Sequence, residues 1–244
     1  MIQRAEILHG VRKKLMNLAE EIKRYTYKDY VKWDTKIRYE LINGIPYAMA
    51  SPSIAHERIS RKLFRQLDNF LIGKTCEVFD APLDVRLNYD SFDDIVVQPD
   101  IFVVCDESKL NGKHVKGAPD FIIEILSPSN TLHDTRIKFI QYQKAGVKEY
   151  WIVDSLAKTV QVYILKEGKY GKGIVYRDDD IVPVHTLKGC EINLADVFYD
   201  TFEPEDDEDD SELIAKQRII EAFKKVGVND EQIEKALKEL DDYN

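Results

Sequence analysis

Two acidic residues stand where an ionised side chain is costly. The run Pro119-Asp120-Phe121-Ile122-Ile123-Glu124-Ile125-Leu126-Ser127 is apolar around a carboxylate at Glu124. A strand of this kind is expected to be buried on both faces, and a buried carboxylate is penalised unless it is paired or metal-bound. Upstream, Val96-Val97-Gln98-Pro99-Asp100-Ile101-Phe102-Val103-Val104 sets Asp100 in the same situation. If the two strands are neighbours, the carboxylates converge at one end or edge of a sheet. Two carboxylates held close repel unless a cation sits between them, and hard oxygen ligands suit Mg²⁺ or Mn²⁺. The same residues also have a plain structural reading: Asp100 opens a strand after proline, and Glu124 pairs with a buried Lys or Arg. Residue type alone leaves both readings open. Asp120 competes with Asp100 as the first carboxylate. On one strand with Glu124, however, it faces the same way about 13 Å distant, so Asp100 is the better partner.

The elements that must position these groups are legible in outline. Apolar residues at helical spacing (Ile7, Leu8, Val11, Leu15, Leu18, Ile22) predict a helix over 5–24. Ile37–Ile42 and Ile45–Ala50 flank Asn43-Gly44, a hairpin signal because both turn residues must tolerate positive φ. A helix is expected over 54–72, closed by Gly73, then strands over 75–79, 82–87 and 95–104. A polar loop (106–118) separates these from the strand 120–126. A helix over 132–145 ends at Gly146, and strands follow at 149–153 and 159–165, with shorter pieces near 174–184. An acidic linker, 205–210, leads to two amphipathic segments, 211–226 and 230–240. This order predicts an α/β fold in which helices pack on a mixed sheet.

Net charge is −9, but residues 205–244 alone carry 14 acidic against 6 basic side chains, so the body is near neutral. Composition therefore neither demands nor forbids a nucleic-acid partner. Arg58, Arg61, Lys62 and Arg65 share one flank of the helix 54–72 and offer charge to phosphates, although such a stripe is more often a solvated face. No apolar run approaches the roughly 20 residues of a membrane span, and the first residues do not read as a signal peptide. Cys76, Cys105 and Cys190 are odd in number and far apart. They fit no disulfide framework or CxxC zinc site and read as reduced thiols of a cytoplasmic protein.

A Pro-Asp followed at a distance by a Glu inside an apolar strand resembles the PD-(D/E)XK nuclease superfamily. Four segments narrow the match to the Uma-two family of restriction-endonuclease-like proteins. They are Arg38-Tyr39-Glu40-Leu41-Ile42-Asn43-Gly44 with Ser51-Pro52 and His56; Gln98-Pro99-Asp100-Ile101; Gly117-Ala118-Pro119-Asp120 through Ser129; and Ala145-Gly146-Val147-Lys148-Glu149-Tyr150-Trp151-Ile152-Val153-Asp154. The resemblance covers roughly residues 25–200.

The resemblance implies a restriction-endonuclease-like mixed β-sheet flanked by helices over 25–204, with an N-terminal helix (1–24) and an acidic linker and helical hairpin (205–244) as appendages. It implies Asp100, Glu124, Glu40 and the Ile125 carbonyl as ligands of Mg²⁺ or Mn²⁺, and His56 near the site. One departure stands out. Two residues after Glu124, where the superfamily carries lysine, this chain has Leu126. The resemblance implies that the following helix supplies the lysine, as Lys138. Asp134, Lys138 and Tyr142 lie four residues apart in turn and share a helical face; Lys138 and Tyr142 also match the Gln-x-x-x-Tyr spacing of RecB-like nucleases. The expected activity is metal-dependent hydrolysis of phosphodiester bonds in DNA by a cytoplasmic homodimer without membrane attachment. The alternative is an inactive nuclease-fold protein kept as a nucleic-acid-binding or interaction module.

Overall fold

The computed structural model describes residues 23–127, 133–199 and 201. The helix expected over 5–24 lies, except for its last two residues, outside them, as do the acidic linker, the tail helices and the side chain of Asp134. The chain divides into one unit of Tyr25–Pro204 and another of Met1–Arg24 with Glu205–Asn244. The first holds every candidate site residue. Among the described residues, no helix is long and apolar enough to cross a membrane.

A short helix, α1 (Tyr27–Tyr30), precedes the hairpin β1 (Tyr39–Ile42) and β2 (Ile45–Ala48). Asn43 and Gly44 turn the hairpin at φ 51° and 77°, the left-handed values that a two-residue turn of this kind requires. Helix α2 (Ile54–Leu71) starts at Ser53, whose hydroxyl accepts from the His56 amide at 3.1 Å, satisfying one of the orphan donors of the first turn. Ile59, Leu63, Leu67 and Leu71 recur every four residues and form its buried stripe.

Strands β3 (Glu77–Asp80), β4 (Asp84–Arg86), β5 (Val96–Val97), β6 (Ile101–Val104), β7 (His114–Lys116) and β8 (Phe121–Leu126) follow. After a π-helical turn at His133–Lys138 come α3 (Phe139–Ala145), β9 (Glu149–Asp154), β10 (Thr159–Lys166), β11 (Lys169–Tyr170), β12 (Ile174–Arg177), β13 (Ile181–Val184), β14 (Cys190–Asn193) and α4 (Leu194–Phe198). One sheet runs β2-β1-β5-β4-β7, and a second runs β11-β10-β9-β8-β6-β3 with β12 also paired to β10. The second sheet is mixed: β6 and β8 are antiparallel, β8 and β9 parallel.

Alternation along β8 explains how Phe121 through Ile125 are all buried. Phe121, Ile123 and Ile125 pack with Ile59, Leu63 and Leu67 of α2 and with residues of β13, β14 and α4. Ile122 turns the other way, into a second core with Tyr142 of α3 and with Val85 and Val97 of the first sheet. Glu124 shares the parity of Ile122 and thus belongs to that second side.

The strand expected over 95–104 is two strands. Val96–Val97 pairs in the first sheet and Ile101–Val104 in the second. Pro99 between them has no amide hydrogen to donate, so the ladder stops there and the chain changes sheets. That break leaves Asp100 at the mouth of β6. The cysteine expectation needs correction: Cys76 and Cys105 form a disulfide, and among the described cysteines only Cys190 is a buried thiol. Their spacing of 29 residues gave no sign of this, because β3 and β6 bring them together only in the folded sheet.

Candidate active site

The β6–β8 register pairs Ile101 with Ile123. Asp100 directly precedes Ile101 and Glu124 directly follows Ile123, so both stand at the end where this ladder stops. The Ile125 amide donates to Asp100 Oδ2 at 2.8 Å, holding that carboxylate against β8. The same oxygen lies 3.1 Å from Nε2 of His56, which α2 presents from its capped first turn.

Glu124 is 2 % exposed and sits amid donors. Lys138 Nζ donates to its Oε1 at 3.0 Å and the Tyr142 hydroxyl to the same oxygen at 2.5 Å. Lys138 Nζ is also 3.0 Å from Oε1 of Glu40, from β1 of the other sheet. Glu40 Oε1 in turn accepts the Gln98 amide at 2.9 Å. One ammonium thus joins carboxylates from two sheets, at the seam where Pro99 carries the chain between them. Burial first, then the Glu124 and Glu40 charges, push the Tyr142 hydroxyl well above its ordinary pKa, so it stays a neutral donor.

Two groups therefore form: Glu40 and Glu124 gathered by the Lys138 ammonium, with Tyr142 donating to Glu124, and His56 and the Ile125 amide around one oxygen of Asp100. The Ile125 amide, next along the chain from Glu124, connects them through its bond to Asp100. Lys138 closes the π-helical turn and Tyr142 lies one α-helical turn on, so the shared face expected of those two residues is realised. Asp120 is elsewhere: its carboxylate accepts from the Cys105 amide and from Lys148 Nζ, and so ties β6 to the start of β9.

A third set of residues was missed by sequence reasoning. Gln98 Nε2 donates to Asp84 Oδ1 at 2.9 Å, and the Tyr30 hydroxyl donates to the same oxygen at 3.0 Å. Through its amide to Glu40, Gln98 links α1 and β4 to the site. Its position just before Pro99-Asp100 was the one available signal.

Carboxylate oxygen is the donor type that a hard divalent cation takes. In the structure Glu40 and Glu124 each offer a carboxylate oxygen to the Lys138 ammonium, while Asp100 offers one to His56 and the Ile125 amide. Among the described residues, no three His, Cys, Asp or Glu side chains are gathered into a group that could hold a metal ion.

The family model of Uma2, described as "Putative restriction endonuclease", matches residues 27–195. The uncharacterized protein slr1290 of Synechocystis sp. is 28% identical over 143 residues, covering 56% of this chain and 72% of that protein. A crystal structure from Anabaena variabilis, titled as a putative nuclease belonging to DUF820, superposes with a TM-score of 0.58 at 22% identity, covering 71% of this chain and 97% of that one. At that identity the likeness establishes the fold: a nuclease-like mixed α/β architecture.

Proposed function

The chain belongs to the Uma2 family, and from that premise we propose that it is a metal-dependent endonuclease hydrolysing phosphodiester bonds in DNA. The observation that carries the reading is the Glu124 cluster. A carboxylate in the middle of a buried strand meets Lys138, Tyr142 and, through Lys138, Glu40, while Asp100 accepts from the amide of the next residue on that strand, Ile125. The description of the matched family supports the reaction class. The Anabaena protein, titled a putative nuclease, supports it at the level of fold.

Asp100, Glu124, Glu40 and the Ile125 carbonyl would hold Mg²⁺ or Mn²⁺, which when bound polarises a phosphoryl oxygen and makes a bound water more acidic. The chain's own residues have separable tasks. Lys138 keeps the Glu40 and Glu124 carboxylates together and presents positive charge toward the charge that develops on phosphate. Tyr142 fixes the rotamer of Glu124 with a hydrogen bond that does not titrate in the working range. His56 and the Ile125 amide do the same for Asp100. Cutting both strands of a duplex suits a homodimer, since two-fold pairs are the commonest assemblies, and such a protein would act in the cytoplasm, where DNA is within reach.

Calorimetric titration with Mg²⁺ and Mn²⁺ tests the site. Binding to the wild type and its loss in Asp100→Ala are expected. Equal binding by that variant rules the site out.

A further inference from the structure

The disulfide lies on the same strand ladder as Asp100. β3 pairs with β6 from Glu77 opposite Val104 to Asp80 opposite Ile101. One step beyond the first pair stand Cys76 and Cys105, bonded to each other. One step beyond the last, the Ala81 amide donates to the Asp100 carbonyl at 3.3 Å. Among the described residues β3 is the edge of its sheet, with β6 as its one hydrogen-bonded neighbour. Strands in that position are the ones that fray. The Cys105 amide is also held by Asp120, at the threshold of β8, the strand that carries Glu124. The cysteine pair therefore clasps the outer end of a ladder whose inner end is the backbone of Asp100.

Both cysteines are partly exposed and pack on the α2 side of the sheet, so a thiol reagent can reach them while they still contribute to the core. We propose that Cys76–Cys105 is a reversible thiol–disulfide site, a substrate for dithiol reductants, whose state sets how firmly β3 holds β6 and the Asp100 backbone. In the reduction, a thiolate of the dithiol attacks one cysteine sulfur, forming a mixed disulfide and releasing the other cysteine as a thiolate. The second thiolate of the reductant then displaces the first cysteine. Two electrons pass to the protein pair, each cysteine takes up a proton, and the reductant leaves as its own disulfide. This site stands on the strand topology and does not depend on the nuclease reading.

The test uses the full chain, oxidised with oxidised glutathione or reduced with dithiothreitol. After alkylation in denaturant, the oxidised form should carry one label, on Cys190, and the reduced form three, one for each cysteine of the chain. Amide hydrogen exchange across 77–81 should be about tenfold or more faster in the reduced protein, the scale expected when a cross-link closing a loop of this size is opened. The Ala81 amide, which reports on Asp100, should accelerate with the rest. Cys76→Ser with Cys105→Ser should exchange like the reduced wild type and ignore dithiothreitol. Comparing the two redox forms of the wild type needs no variant to fold. Three labels after oxidation would overturn the proposal. So would an Ala81 amide whose exchange is the same in both forms.

Discussion

At Lys138 the structural and the chemical readings of Glu124 turn out to name one residue. A buried carboxylate was expected either to find a buried lysine or to serve a metal centre. The lysine it finds, 3.0 Å away and 4 % exposed, is the one the family resemblance nominates in place of Leu126. Both roles predict damage from Lys138→Ala, on different observables. Removing one partner of a buried pair leaves uncompensated charge, so denaturant unfolding should show a loss of about 3–5 kcal/mol. Cleavage measured where the variant is still folded should slow by about 10²-fold, the effect of losing one preorganised electrostatic donor. Wild-type cleavage by a destabilised variant would leave Lys138 a structural residue only. Glu124 and Asp100 were legible because charge inside an apolar run violates a local rule. Gln98, Asp84 and Tyr30 violate none. Their meeting depends on α1 docking against β4, which no spacing announces.

The elements follow the same logic. Among the described residues, the long periodic segment is where the sequence reading places it: α2 starts at Ile54 and ends at Leu71, and Gly146 ends α3 with φ 88°. The misses are short or interrupted. β7 was hidden in a polar loop because only Val115 of its three residues is buried. The expected helix 132–145 opens with a π-helical turn, which apolar periodicity does not distinguish from an α-helical one. Asp120 shows what joins the elements. Burial alone would raise its pKa. The hydrogen bond from Lys148 at 2.6 Å and that from the Cys105 amide outweigh burial and leave it below the ordinary value. A carboxyl lowered in the native state adds stability above its unfolded pKa of about 4, and that stability is lost as pH falls through the native value. Asp120→Asn should therefore be less stable than wild type near neutrality, and the gap should close in acid. Urea unfolding from pH about 6 down to 2 reads this; parallel profiles would refute it.

At the scale of the molecule, the order of elements conveyed an α/β class and a mixed sheet but not the division into separate sheets, two large ones and the β13-β14 pair, since hydrophobic pattern does not say where a buried ladder changes partner. Pro99 held that information, and its effect is to bring Glu40 of one sheet to Glu124 of the other. Assembly is a further expectation: light scattering at micromolar concentration should give twice the 28.3 kDa chain mass, and a monomer would contradict the dimer. The most direct test of the whole account is cleavage of supercoiled plasmid DNA in Mg²⁺ by the wild type beside Asp100→Asn, with chelator as control. The wild type should nick or linearise the plasmid only with metal, and the variant should leave it intact. A wild type that leaves DNA intact in Mg²⁺ or Mn²⁺, or a variant that cuts at the wild-type rate, would contradict it.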